Sequence, residues 1–296
     1  PIRIFDDQSY RALGIEVTDD VSSADIMIGV KEVPKQALIP GKSYLFFSHT
    51  IKKQPYNREL LRAILDLKIS LFDHETFVSA SGSRLIGFGR YAGLVGAYNG
   101  FRLFGLRQGL FDLPKVHTLY DLEEVKEALD QISLPQHFKV VLTGKGKVAL
   151  GAQEILQHLG LEKLDPSDFL NGQSSAPSYA MIDILDYNRK MDGSLGSKSE
   201  FYQNPEHYLS DFARFTKVAD LFVAGHFYGN GAPIILTRED LAAPDCRIDV
   251  VADVSCDIDG PVACTLRPST IEDPFYGYDA HQHREVSFDQ SNSIGV

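Results

Sequence analysis

FKVVLTGKGKVALGAQEILQHL, residues Phe138 to Leu159, reads as a strand, a glycine turn and a helix in succession. Phe138 to Leu142 is a short apolar, β-branched run of the kind buried on both faces of a parallel sheet. It breaks at Gly144-Lys145-Gly146 and resumes with helical spacing at Val148, Ile155, Leu156 and Leu159. That order makes the first half of a βαβ unit, whose helix N-terminus offers unpaired N–H groups and a positive dipole end to a phosphate. Gly144 permits the tight turn, Gly146 lets a pyrophosphate approach the backbone, and Gly151 is expected to let the helix lie close on the sheet. Ala149 stands where the third glycine of the dinucleotide fingerprint usually falls, so the same residues also fit a glycine turn without a ligand.

Outward from this run the strand–helix rhythm continues. Leu161 to Leu164 is a short strand closed by Asp165, about 20 residues beyond the turn, where an acid would bind an adenosine ribose. Asp165-Pro166-Ser167-Asp168 fits a helix N-cap equally well. Tyr179–Leu185, Leu221–Ala224 and Ile248–Val254 read as further strands, the second ending at Gly225-His226 and the third at Ser255-Cys256-Asp257. Gly193 to Pro205 reads as a long connection. Ser133-Leu134-Pro135 reads as a hinge, which divides the chain into domains 1–132 and 133–296.

The first domain alternates in the same way. Asp25–Val30 is expected as a buried strand ending at Lys31-Glu32, Tyr44–Phe47 as a strand ending at Ser48-His49-Thr50, and Ile69–Phe72 as a strand ending at Asp73-His74-Glu75. Asn57–Leu67 is an amphipathic helix, Arg84–Gly89 one more strand, and Tyr91–Gly109 a long helix whose glycines and alanines suit close packing. Asp121–Ile132 is an acidic-started helix. Ligands of open α/β sheets bind at the carboxyl ends of strands. Three polar clusters at such ends point to a site, although Lys31, Glu32 and His49 taken singly also read as ordinary loop residues.

The 296 residues carry a net charge of −11, which argues against nucleic-acid or anionic-membrane partners. No apolar run approaches the roughly 20 residues of a membrane span. Three cysteines without C-x-x-C spacing give neither a zinc site nor a disulfide framework, and read as free thiols in a reducing cytoplasm. No metal ligand set is visible.

Several stretches together resemble one family: Gly29-Val30-Lys31-Glu32-Val33-Pro34, Phe47 to Asn57 (FSHTIKKQPYN), Gly89-Arg90-Tyr91-Ala92-Gly93, Leu142 to Lys147 (LTGKGK), Asp253 to Gly260 (DVSCDIDG), Arg267-Pro268-Ser269-Thr270 and Asp273-Pro274. They are similar to the lysine–2-oxoglutarate reductase and lysine-forming saccharopine dehydrogenase group, related to alanine dehydrogenase and the transhydrogenase nucleotide-binding subunit. The resemblance implies an α/β chain of two Rossmann-like doubly wound domains with an interdomain cleft. It also implies NAD as cofactor, with NADP as the alternative, and amino-acid and 2-oxoacid substrates. Lys31 and His49 fall on the family's acid–base pair, Lys52 on a basic residue that tunes them, and Glu32 and Glu75 on acidic ones. Asp257 matches an aspartate that serves catalysis in alanine dehydrogenase. The cofactor set is then Gly144, Lys145, Gly146, Lys147, Val148, Asp165 and His226. The expected reaction is hydride transfer between a nicotinamide and the C–N bond of an amino acid. The alternatives are an alanine-type or other opine-type dehydrogenase, or a nucleotide-binding subunit without chemistry. A homo-oligomer is compatible with the sequence and not required by it. The family has a strand and a substrate-binding arginine before the position of Pro1 and a return segment after that of Val296, so this sequence is expected to be an incomplete copy.

Overall fold

The computed structural model describes residues 5–53, 55–82, 84–172, 174–229 and 231–296, with the side chains of Lys52 and Tyr56 outside the described set. The chain forms two compact units, over residues 5–88 and 89–296. The expected change of domain at 132/133 differs from this division. The long helix and the acidic-started one, both ahead of residue 133, pack with the second unit.

The unit over residues 5–88 contains α1 (Asp7–Ala12), β1 (Ile26–Lys31), β2 (Ser43–Phe47), α2 (Arg58–Asp66) and β3 (Ser70–Asp73). Its three strands run parallel in the order β1-β2-β3. A small core gathers Leu38, Tyr44 and Phe46 against Leu60 and Ile64 of α2. Only one face of the sheet has that cover within the unit. Asp25–Val30 was expected as a buried strand; β1 is instead an edge strand with Ile28 76% exposed, and Ile26 and Val30 exposed beside it. The apolar run is real, but an edge position on a sheet with one packed face does not bury it. Arg84–Gly89 forms no strand either. Arg84 makes an isolated antiparallel bridge to Val78, and Gly89 begins the next helix.

The unit over residues 89–296 starts with α3 (Gly89–Gln108) and α4 (Leu122–Leu129, N-capped by Asp121). It continues with β4 (Lys139–Thr143), α5 (Lys147–His158), β5 (Glu162–Lys163), α6 (Pro166–Asn171) and β6 (Ser178–Ile182). The expected long connection after Gly193 holds a helix, α7 (Lys198–Gln203), which lies between the two strands of a ribbon, β7 (Asn188–Lys190) and β8 (Tyr208–Ser210). Then come β9 (Leu221–Ala224), β10 (Val250–Asp253), β11 (Gly277–Asp279), β12 (Arg284–Val286) and β13 (Ile294–Gly295).

The main sheet has the order β12-β11-β13-β10-β9-β4-β6-β5, parallel from β13 through β5. Every residue of β4, β6 and β9 is buried, because apolar layers cover both faces. Each Val, Leu, Ile or Phe so placed contributes about 1.5–3 kcal/mol relative to exposure. One detail departs from the dinucleotide-fold order 3-2-1-4-5-6. The strand after α5 does not lie beside β4; β6 inserts between them and pushes β5 to the edge.

A seam of glycines joins α3 to α5. A Cβ on Gly93 would stand 1.9 Å from the Val148 carbonyl oxygen, and one on Gly151 would stand 2.0 Å from that of Arg90. Gly151 therefore brings α5 close to α3, not to the sheet as the sequence suggested. No helix among the described residues is long and apolar enough to cross a membrane.

Candidate active site

The three polar clusters of residues 5–88 converge because β1, β2 and β3 are parallel neighbours ending at the same edge. Lys31 Nζ lies 3.5 Å from His49 Nε2, and His49 Nδ1 lies 3.1 Å from Glu75 Oε2. Glu75 is buried, its second oxygen 3.6 Å from the half-exposed Arg84 guanidinium. A buried carboxylate needs such partners to stay charged. With Nδ1–H donating to Glu75, His49 presents its Nε2 lone pair to the Lys31 ammonium. That orientation fixes the tautomer and leaves a relay of two groups able to hold or pass a proton.

Local backbone geometry aims both residues. The β1–β2 register pairs Ile28 with Leu45 but Lys31 with Phe47, so β1 carries one extra residue. A bulge of this kind re-aims side chains beside it. The buried His74 ring spans the irregularity, its Nε2 3.1 Å from the Gly29 carbonyl oxygen, with Phe47 edge-on at 5.1 Å. His49 itself sits in the left-handed region at φ 56°, an uncommon conformation for a residue with a Cβ. Such a conformation persists where its surroundings over-determine it. Here the Ser48 hydroxyl donates to Asp73, the Asn57 amide donates to the His49 carbonyl at 3.3 Å, and Asp73 also accepts from the Glu75 N–H at 2.9 Å.

Glu32 is exposed, and among the described residues no hydrogen bond or ion pair ties it to this relay. The side chain of Lys52 lies outside the described residues. Asp257 belongs to the other unit, exposed in the loop after β10, and its charge joins burial in raising the Tyr228 phenol pKa. The sequence reading placed Asp73 in a strand-end cluster without giving it a role, and placed Arg84 in a strand with no link to the site. Asp73 had a legible signal, an acid closing an apolar strand; Arg84 had none, since it meets Glu75 through a turn.

In the unit over residues 89–296 the glycine turn has the shape a phosphate requires. Gly144 has φ +92°, and a Cβ there would stand 2.7 Å from the Gly225 carbonyl oxygen. Gly146 caps α5, and a Cβ on it would meet nothing within 4 Å, so the approach to the N–H groups of the first turn of α5 is open. Lys147 is exposed and Val148 half-buried in that turn, and Lys145 lies 3.7 Å from Asp183. His226 follows β9 and is buried, with Nδ1 2.7 Å from Thr143 Oγ1 and no partner for Nε2 among the described residues. Burial lowers its pKa to about 4, with Asp253 opposing, so the ring is neutral and carries one orphan nitrogen. An open phosphate cradle beside an orphaned polar atom fits a dinucleotide. Asp165 lies after β5 as the N-cap of α6, without a side-chain capping bond, and β6 separates its strand from β4.

A model of the family described as Alanine dehydrogenase/PNT, N-terminal domain, matches residues 2–95. Mitochondrial alpha-aminoadipic semialdehyde synthase of Bos taurus is 31% identical over 323 residues, covering 95% of this chain and 35% of that protein. The Arabidopsis thaliana synthase is 28% identical, covering 94% and 30%. Saccharopine dehydrogenase (NAD(+), L-lysine-forming) of Neurospora crassa is 24% identical, covering 88% and 65%. An L-alanine dehydrogenase structure shares the fold at a TM-score of 0.55 and 17% identity, over 93% of this chain and 68% of that one. The chain is thus homologous to the synthases and to saccharopine dehydrogenase, and it spans about a third of the length of the synthases.

Proposed function

We propose that this chain carries a nicotinamide-dependent oxidoreductase activity on the C–N bond of an amino acid, as a lysine–2-oxoglutarate reductase or lysine-forming saccharopine dehydrogenase. The observation that carries the reading is the relay Lys31–His49–Glu75, set at the carboxyl ends of three adjacent strands. The similarity to the semialdehyde synthases and to saccharopine dehydrogenase supports the substrate class.

The cofactor, when bound, supplies hydride. The chain must bind it and move protons. Gly144, Gly146 and the first turn of α5 would hold the pyrophosphate, with Lys145 and Lys147 balancing its charge and His226 Nε2 left for a polar group of the same ligand. In the reductive direction the lysine ε-ammonium must lose a proton to attack the 2-oxoacid carbonyl. The carbinolamine hydroxyl must gain one to leave as water. Lys31 and His49 are the pair proposed for these transfers, because an amine and an imidazole are both proton-transfer groups and the two stand 3.5 Å apart at one strand edge. Glu75 touches no reacting atom in this scheme. It holds the His49 ring through Nδ1.

The test is oxidation of NADH and NADPH by the full-length protein with lysine plus 2-oxoglutarate, with pyruvate plus ammonia, and with each component alone. Turnover that requires both lysine and 2-oxoglutarate is the expected result. Turnover with pyruvate and ammonia would move the protein to the alanine-type reaction, and nucleotide binding without turnover would make it a binding subunit.

A further inference from the structure

Resting on the reading that the unit over residues 89–296 binds a dinucleotide, we propose that Asp183, and not Asp165, reads the adenosine ribose and sets the choice between a 2′-hydroxyl and a 2′-phosphate. The strand order carries this. β6 is the parallel neighbour of β4, Ile182 is level with Thr143, and the Gly144 N–H donates to the Ile182 carbonyl at 2.9 Å. Asp183, the next residue, therefore stands directly beside the glycine turn. Lys163 of β5 pairs with Tyr179, which pairs with Val140. Asp165, two residues on, is accordingly level with Leu142, two residues short of Gly144, and two strand spacings away, roughly 10 Å.

The surroundings of Asp183 are those of a ligand group held ready. Its carboxylate pairs with Lys198 of α7 and lies 3.7 Å from Lys145 of the turn, and the Ile184 N–H donates to it at 2.7 Å. Its backbone N–H is held by Asp186 at 2.7 Å. A carboxylate so fixed accepts hydrogen bonds from ribose hydroxyls, whereas a 2′-phosphate would bring like charge against it. Both lysines are about half exposed, and without Asp183 they would remain to pair with a phosphate. One residue thus separates a site that favours NADH from one that favours NADPH.

Isothermal titration of the full-length protein with NADH and NADPH tests this directly. Asp183→Ser should raise the NADPH-to-NADH affinity ratio by about tenfold or more, the scale of one removed charge contact. Asp183→Asn, which keeps the shape and loses the charge, should move it in the same direction and guards against a folding defect. Asp165→Ser should leave the ratio within about twofold. A ratio that moves with Asp165, or that stays fixed in both Asp183 variants while both nucleotides bind, would overturn the assignment and leave the dinucleotide reading standing. Failure of the unaltered protein to bind either nucleotide would overturn the dinucleotide reading and the assignment with it.

Discussion

The two units bear parallel sheets of similar local composition, yet they hold them differently. In the unit over residues 89–296, β4, β6 and β9 are covered on both faces and bury every residue. In the unit over residues 5–88, β1 has equally apolar side chains, Ile26, Ile28 and Val30, and all three are exposed. An apolar run reports that a strand suits a dry environment; cover depends on what else packs on that face. The thin unit holds its shape at the functional edge with polar bonds, through Ser48, Asp73, Glu75 and Asn57. The thick unit holds its turn by backbone approach, through Gly144 and Gly225. Precision in one therefore rests on side-chain chemistry, and in the other on the absence of side chains.

The largest expected effect tests the polar half of that contrast. His49→Ala should lower turnover by on the order of 10²–10⁴-fold, since a positioned acid–base group is lost. Nucleotide affinity, measured by titration, should stay nearly unchanged, because the proposed phosphate cradle is built from the other unit. Lys31→Met should lower turnover likewise, and the double variant should lose far less than the product of the two single losses, as groups acting as a unit do. Normal turnover in His49→Ala would reduce His49 to a structural histidine.

The next effect tests how dry the thick unit is at its strand ends. His226 is held neutral by burial, its pKa lowered from 6.5 to about 4. Between those values the unfolded chain binds a proton that the folded chain refuses. Stability from this group is therefore full above about pH 6.5, falls as pH drops, and is lost once pH passes below about 4. The whole loss amounts to roughly 3 kcal/mol for a shift of this size. His226→Gln should flatten that part of the curve, read from urea midpoints at about pH 7 and pH 4.5. Parallel losses in the two proteins would mean that the ring is wet.

A smaller effect tests the backbone seam. Gly93→Ala places a Cβ 1.9 Å from the Val148 carbonyl oxygen, an atom that cannot rotate away. Moving α3 off α5 should cost about 2 kcal/mol. With 13 tyrosines and no tryptophan, tyrosine fluorescence or circular dichroism is the suitable probe of the urea midpoint. An unchanged midpoint would mean that the helices separate freely.

What was legible in the sequence follows the same division. The glycine turn and the buried strands of the thick unit could be read because burial on both faces leaves uninterrupted apolar runs, and because Gly144 answers a backbone demand that few residues meet. The strand-end clusters of the thin unit could be read because parallel neighbours end at one edge. Three things could not be read. The position of β6 between β4 and β5 depends on which strand packs best beside β4, and a linear order does not encode that. Arg84 reaches Glu75 across a turn whose path no periodicity describes. The burial of β1 was misjudged because the same isoleucines satisfy a central or an edge strand.

The smallest effect sharpens that last point. Ile28 and Val141 both lie in parallel strands and both look like core residues in the sequence, but Ile28 is 76% exposed and Val141 is 0% exposed. Replacement of Val141 by Thr puts a hydroxyl into a packed apolar layer with no partner prepared for it, and should cost about 2 kcal/mol. Ile28→Thr keeps the β-branch and the strand propensity while its hydroxyl faces water, so it should change stability by less than about 0.5 kcal/mol. Urea midpoints of the two variants, taken side by side at one pH, make the comparison independent of the absolute stability of the chain. A loss at Ile28 approaching that at Val141 would show that something covers this face of β1 in solution, and the contrast between a one-faced and a two-faced sheet would then fail at its most exposed residue.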